Sequence, residues 1–275
     1  MIVFPNCKIN IGLRILRKRK DKHHDLETVF YPIPLSDILE IVTNKEPKLS
    51  HIIPFTTSGL NVEANPGNLC IRAYKLLKKK FPDLPRVKIH LHKVIPLGAG
   101  LGGGSSNAAF TLKLLNTKFD LGLTNVQLLQ YAFQLGSDCP FFILNKPCTA
   151  SGRGEILKEI PLDLSGYTLV VVNPGIHIDT GSAFLQIIPA IPEKTLAEII
   201  TLPIERWKDE LINDFEKPIF MQYPEIVDIK DKLYIAGAIY ASMSGSGSTV
   251  YGIFPNQQKP QLSFPDHYLK WELSL

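Results

Sequence analysis

The sequence predicts a mixed α+β protein built as two closely packed halves. Three observations predict it. The opening third carries apolar residues with a period of two, the signature of strands. Runs with apolar residues at helical spacing follow, punctuated by glycine, proline and asparagine. After residues 147–161 the character shifts to a buried apolar strand, scattered helical patterns and a glycine-serine turn. A chain of 275 residues suffices for one large domain or two small ones around a shared groove.

Taken in order, residues 2–16 place Ile9, Ile11, Leu13 and Ile15 on one strand face. Residues 37–43 make a second strand, with a basic segment holding His23 and His24 between the two. Residues 49–55 and 59–62 read as weaker strands. Asn65-Pro66-Gly67-Asn68 is turn chemistry. It leads into a helix over 69–80, with Leu69, Ala73, Leu76 and Leu77 at helical spacing and Asn68 as its N-cap. Lysines in its last turn suit the helix dipole, and Pro82 and Pro85 stop it. Residues 87–94 alternate, with Val87, Ile89 and Leu91 inward. A glycine-rich stretch, 96–106, precedes a helix over 107–116. Thr124 caps a further helix over 126–135, closed by Gly136. Ser137-Asp138-Cys139-Pro140 and an apolar run at 141–144 follow. In the second half, residues 168–172 form a buried strand ended by Asn173-Pro174-Gly175. Helical patterns lie at 196–200 and 214–221, a glycine-serine turn at 240–248 and a strand at 249–254.

Hydrophobic residues make up 45% and charged residues 20%, the balance of an ordinary soluble globular protein. A net charge of +4 is mildly basic and lacks the clustered excess of a duplex-binding protein, so no nucleic-acid partner is expected. The densest basic run is Arg14, Arg17, Lys18, Arg19, Lys20 and Lys22. It reads either as a solvated hairpin tip or as a surface facing a phosphate-bearing ligand. Cys7, Cys70, Cys139 and Cys148 form no CxxC pair and have no histidine at zinc spacing. They read as reduced, buried small residues of a cytoplasmic protein. No stretch has the apolar length of a membrane span, so no membrane partner is expected.

The glycine-rich stretch carries the chemistry. Gly98, Gly100 and the run from Gly102 to Ser106 let backbone N–H groups approach a ligand with no Cβ in the way. The following helix points its N-terminus at the same place, where free N–H donors and the positive dipole end meet an anion. Three readings compete. A flexible turn would spend folding entropy without return. A dinucleotide fingerprint is satisfied by Gly98, Gly100 and Gly103, with Asp120 near the distance of a ribose-binding acid, but Asp120 closes no second parallel strand. The third reading is a nucleotide-phosphate loop that is not a Walker A, since no Gly-Lys-Ser/Thr ends it.

The string Pro96-Leu97-Gly98-Ala99-Gly100-Leu101-Gly102-Gly103-Gly104-Ser105-Ser106-Asn107-Ala108-Ala109 resembles the phosphate loop of the GHMP kinases, the galactokinase–homoserine kinase–mevalonate kinase superfamily. Further segments resemble the branch whose alcohol carries a cytidine diphosphate. They are Pro5-Asn6-Cys7-Lys8-Ile9-Asn10, His23-His24-Asp25-Leu26-Glu27-Thr28, the run from Leu135 to Phe142 around Asp138, Asn213-Asp214-Phe215-Glu216 and Met243-Ser244-Gly245-Ser246-Gly247.

The resemblance implies a two-lobed fold. Residues 1–155 would form an ATP-binding lobe like ribosomal protein S5, and residues 156–275 a ferredoxin-like C-terminal lobe. It implies ATP and Mg2+ as cofactors and a cytidine diphosphate alcohol as substrate, and assigns neither metal ligands nor an oligomeric state. Asp138 would take or orient the hydroxyl proton; the plain alternative is an Asp capping a local turn. Lys8 would stand beside it and stabilise developing negative charge, where a lone strand lysine is otherwise a snorkelling edge residue. Asn10 would position the substrate. His24 would hydrogen-bond the cytosine, or simply be exposed. His23 stands where the family has a stacking Tyr, and Lys22 where it has Gly. Thr180 and Phe184 match the far side of the base, Phe184 alternatively being a core residue. Asn68, Leu69 and Lys93 match the adenine pocket. The residues from Pro96 to Ser106 match the phosphate site, with Ser105 or Ser106 suggested for the metal. Other readings are a kinase acting on homoserine or mevalonate, and a nucleotide-binding regulatory protein without turnover.

Overall fold

Period-two burial decides the first sheet. In Val87–Lys93 the residues Val87, Ile89, Leu91 and Lys93 all face inward. This strand pairs antiparallel with Ile38–Thr43 and parallel with Phe55–Gly59, and Ile2–Val3 closes the far side of Ile38–Thr43. The computed structural model describes residues 1–21, 23–45, 53–63, 65–255 and 260–275. Lys22 and the 49–52 part of the expected strand at 49–55 lie outside the described residues. The strand begins instead at Phe55, and 60–62 are not in it.

This sheet belongs to a compact unit made of Met1–Cys7, Leu35–Leu97 and Gly102–Asn145. Its helices are Leu69–Lys80, Gly103–Lys118, Asn125–Leu135 and Cys139–Leu144. The first buries Cys70, Ile71, Ala73, Tyr74 and Leu77. Ile71 and Leu77 each contribute about 1.5–3 kcal/mol on leaving water. Asn68 caps this helix by accepting from the Cys70 N–H at 2.9 Å. Thr124 and Gln127 form a capping box on Asn125–Leu135.

The second unit gathers Lys8–Pro34, Gly98–Leu101 and Lys146–Leu275. The two units interleave along the sequence, so residues 1–155 contribute to both. One sheet of the second unit runs Asn6–Lys18, His24–Ser36, Cys148–Ser151, Ile156–Glu159. Its other sheet has the order Tyr240–Met243, Val250–Pro255, Tyr167–Asn173, Leu269–Ser274, every pair antiparallel. Counted within this lobe, that order is 2-3-1-4, the ferredoxin-like arrangement. The first crossover carries helices, ending with Pro224–Ile235, whose Ile226, Ile229 and Leu233 share a core with Val170 and Val172. No helix occurs among the described residues 260–268 of the second crossover. The fold class is thus α+β, as the sequence indicates.

Several elements differ from the sequence reading. The strand His24–Ser36 replaces an expected basic loop; Pro32 and Pro34 mask it, since proline argues against a strand interior. Residues 240–243, expected within a turn, are a strand. The helix expected at 107–116 begins at Gly103.

Candidate active site

The glycine-rich loop has its two ends in the first unit and its tip, Gly98–Leu101, in the second. In the first unit the chain leaves the strand Val87–Lys93 and re-enters order at Gly103. Gly102 caps that helix at φ +67°, a conformation that favours glycine. A Cβ on Gly103 would stand 2.8 Å from Ile95 Cγ2 and 3.0 Å from Lys93 Nζ, so only glycine lets the helix start this close. The first-turn N–H groups of a helix have no intrahelical partner, which makes this end an anion cradle.

The two serines separate here. Ser106 is fully buried, its hydroxyl donates to the Asn6 carbonyl at 2.6 Å, and its N–H donates to Gly102. It therefore turns inward, away from the ligand contact suggested for it. Ser105 is half-exposed and bonds Cys139, whose thiol burial pushes up to about 12.

A cavity of about 530 Å³ opens beside the cradle, lined among others by Val62, Asn68, Leu69, Lys93, Leu97 and Gly104. It brings together the expected adenine-pocket residues. Lys93, however, is 1% exposed, and its ammonium is bonded to Asp37 Oδ2 at 2.5 Å. Burial lowers its pKa, while the Asp37 charge opposes that shift. Asp37 is a residue the sequence reading missed. Asp138 is half-buried at the N-cap of Cys139–Leu144 and makes no side-chain capping bond.

In the second unit Lys8 is buried and donates to Asn10 Oδ1 at 2.5 Å and to the Gly100 carbonyl at 2.9 Å. Its ammonium also stands 5.0 Å from the centre of the Phe30 ring. It is thus no snorkelling edge residue. Asn10 is oriented in turn. Its amide donates to Thr28 Oγ1 at 2.9 Å, and Thr28 donates to the Gly12 carbonyl at 2.6 Å. Thr28 was legible only as part of the His24 motif.

The loop tip meets the Ser244–Gly247 turn. Ser244 Oγ donates to the Gly100 carbonyl at 2.9 Å, and a Cβ on Gly247 would fall 2.2 Å from Gly100 N. Asn213 holds that turn by donating to the carbonyls of Met243 and Gly245 at 2.7 and 2.9 Å. This gives the Asn213-Asp214-Phe215-Glu216 segment its purpose.

His24 lies flat on Phe184, ring centres 4.9 Å apart and planes 9° off parallel. Phe184 in turn sets its edge on Phe215. Phe184 is thus packed against the core, its plain reading, and the ring it stacks on is His24. Burial first, then Lys18 and His23, push the His24 pKa down, which keeps the ring neutral near pH 7. His23 is exposed; its N–H donates to Asp21 Oδ1 at 3.1 Å, and its Nε2 lies 3.5 Å from Arg153. Thr180 shares a 3.0 Å hydroxyl contact with Ser246. The basic run does not act as one patch. Arg14 is buried on the Lys194 and Glu210 carbonyls, and Arg17 and Arg19 pair with Asp25. Among the described residues no group of three or more His, Cys, Asp or Glu is placed to hold a metal ion.

A glycine cradle opening a helix without a Walker lysine, with a buried lysine tied to the loop tip, defines a class of nucleotide-dependent small-molecule kinase. Comparison with known proteins agrees. The family model "GHMP kinases N terminal domain" matches residues 68–146, and "GHMP kinases C terminal" matches 188–262. A Bacteroides fragilis protein named 4-diphosphocytidyl-2-C-methyl-D-erythritol kinase is 53% identical over 260 residues, 94% of each chain. A crystal structure of 4-(cytidine 5'-diphospho)-2C-methyl-D-erythritol kinase superposes with a TM-score of 0.76 at 28% identity, covering 100% of this chain and 99% of that one. The Methanococcus jannaschii mevalonate kinase, at 15% identity and TM-score 0.74 over 100% and 98% of the two chains, shares the fold. The chain belongs to the 4-diphosphocytidyl-2-C-methyl-D-erythritol kinases, a branch of the GHMP kinases.

Proposed function

We propose that the chain transfers the γ-phosphoryl group of ATP to the 2-hydroxyl of 4-(cytidine 5'-diphospho)-2-C-methyl-D-erythritol, giving the 2-phosphate and ADP, in the non-mevalonate route to isoprenoids. The observation that carries it is 53% identity to a relative of that name across 94% of both chains. Asp138 accepts the proton of the 2-hydroxyl as its oxygen bonds to phosphorus, and the bond to the ADP oxygen breaks with its electron pair. Lys8 adds positive charge to the same event and fixes the loop tip through Gly100. The N–H groups at the start of Gly103–Lys118 hold the phosphates. Asn68, Leu69 and Leu97 wall the adenine cavity. On the alcohol side, Asn10 positions the substrate, and His24, Phe184, His23 and Thr180 receive the cytidine.

Mg2+ bound on the phosphates supplies charge neutralisation. Such an ion keeps several waters and needs few protein ligands, and Ser105 is the less buried of the serine pair. In this reading 1–155 is the ATP-binding lobe and 156–275 the C-terminal lobe, with one family model inside each. The enzyme works in the cytoplasm, where its buried cysteines stay reduced.

The test is turnover. Purified protein receives ATP, Mg2+ and one alcohol at a time: the cytidine diphosphate alcohol, homoserine or mevalonate. ADP release with the first alone is expected. Turnover with another alcohol and none with the first would overturn the proposal, as would binding of ATP with no turnover.

A further inference from the structure

Asp37 stands immediately before the strand Ile38–Thr43 and is wholly buried. A buried carboxylate survives only if its lone pairs are satisfied. Asp37 spends all of them on the approaches to the glycine-rich loop. Oδ1 accepts from the backbone N–H groups of Val94 and Ile95 at 2.7 and 2.9 Å. Those two residues are the chain's last before Pro96. Oδ2 accepts from Lys93 Nζ at 2.5 Å and from Asn107 Nδ2 at 2.9 Å. Asn107 sits in the second turn of the helix that leaves the loop. One side chain therefore grips the strand end, the incoming stalk and the outgoing helix. The clearance at Gly103, against Ile95 and Lys93 Nζ, shows how closely these parts are set.

We propose that Asp37 is a positioning residue for nucleotide binding: it sets the distance between the two stalks of the loop, so that the first-turn N–H groups of Gly103–Lys118 face the phosphates. The proposal rests on the loop's being the phosphate site. It also reassigns Lys93. Its ammonium is the counter-ion of Asp37, in a residue that also lines the cavity.

The experiment compares Asp37→Asn with Asp37→Leu. Both leave Lys93 without its counter-ion. They differ in one respect: Asn can still accept from Val94 and Ile95, and Leu cannot. ADP affinity is measured by calorimetry on the folded fraction, and KM for ATP and for the alcohol by turnover. Asp37→Leu should weaken ADP binding and raise KM for ATP about tenfold or more relative to Asp37→Asn, with KM for the alcohol unchanged. A residue that only supported the fold would lower the yield and stability of the variants and leave KM for ATP of the folded fraction unchanged. Asn107→Ala keeps the ion pair and serves if neither Asp37 variant folds. It should raise KM for ATP about threefold or more with KM for the alcohol unchanged. Folded Asp37→Leu or Asn107→Ala binding ADP as the unaltered protein does would overturn the proposal. Failure of the unaltered protein to bind ADP would instead overturn the phosphate-site reading itself.

Discussion

A methyl group placed on Gly100 would stand 1.8 Å from the Ser244 carbonyl oxygen, at a φ of +78°. Both facts forbid a side chain there. Gly100→Ala should cost at least ~2 kcal/mol, from left-handed strain and from the clash. KM for ATP should rise with it. An unchanged denaturation midpoint together with an unchanged KM would show that the loop tip is not locked to the 244–247 turn. Asp138 tests the chemistry more directly. Asp138→Asn keeps size and polarity but cannot take a proton, so kcat should fall about 10²–10⁴-fold with ADP binding intact. Turnover near the original rate would remove Asp138 from the proton path. At His24 the sign is set by a lowered pKa. A folded-state pKa below the unfolded 6.5 means the stacked ring's stabilisation is complete above pH 6.5 and is lost as pH falls through the folded value. An NMR titration of its ring proton should give a midpoint below 6.5; a midpoint at or above that value would contradict the burial on Phe184.

At the scale of elements, what was legible followed local rules. Helix Leu69–Lys80 was read with its bounds intact, because Asn68 caps it and prolines stop it. The Thr124 N-cap was equally plain, a contact that contributes about 1 kcal/mol, and the structure adds Gln127 to make it a capping box. Strand Asn6–Lys18 was visible, but its burial on both faces from Cys7 to Ile15 was not, since alternation reports one face only. The helix start at Gly103 was hidden by composition. Glycine is a poor helix former, and only the contact with Ile95 and Lys93 explains why one opens the helix at position 103. Lys8 and Asp138 were visible by resemblance and by their chemical oddness in an apolar strand and a small-residue turn. Thr28 and Asn213 were legible only as members of motif segments, and Asp37 was not legible as a site residue at all. An aspartate ahead of a strand looks like any surface turn until its four donors are known.

Across the whole molecule the four cysteines report on opening. All are buried, and burial pushes the Cys70 thiol up to about 11 and those of Cys139 and Cys148 up to about 12. The thiolate is the reactive form. At pH 7 a thiol reagent should therefore modify the native protein only as fast as it opens, and modify all four groups at once in denaturant. Rapid labelling of one cysteine in the native state would reveal a locally open region. The buried setting of Lys8 has a further consequence for synthesis. The Asn10 N–H donates to Ser244, 234 residues away, and Tyr251 donates to the Asn10 carbonyl across 241 residues. At roughly 5–20 residues per second, Ile9, Ile11, Leu13 and Ile15 wait about 10–50 s for their partners to leave the ribosome. The cations at 14–20 then serve the nascent chain as gatekeepers beside a sticky strand. Ribosome-stalled chains cut off near residue 200 should be cleaved by protease within 8–18, and released full-length chains should resist.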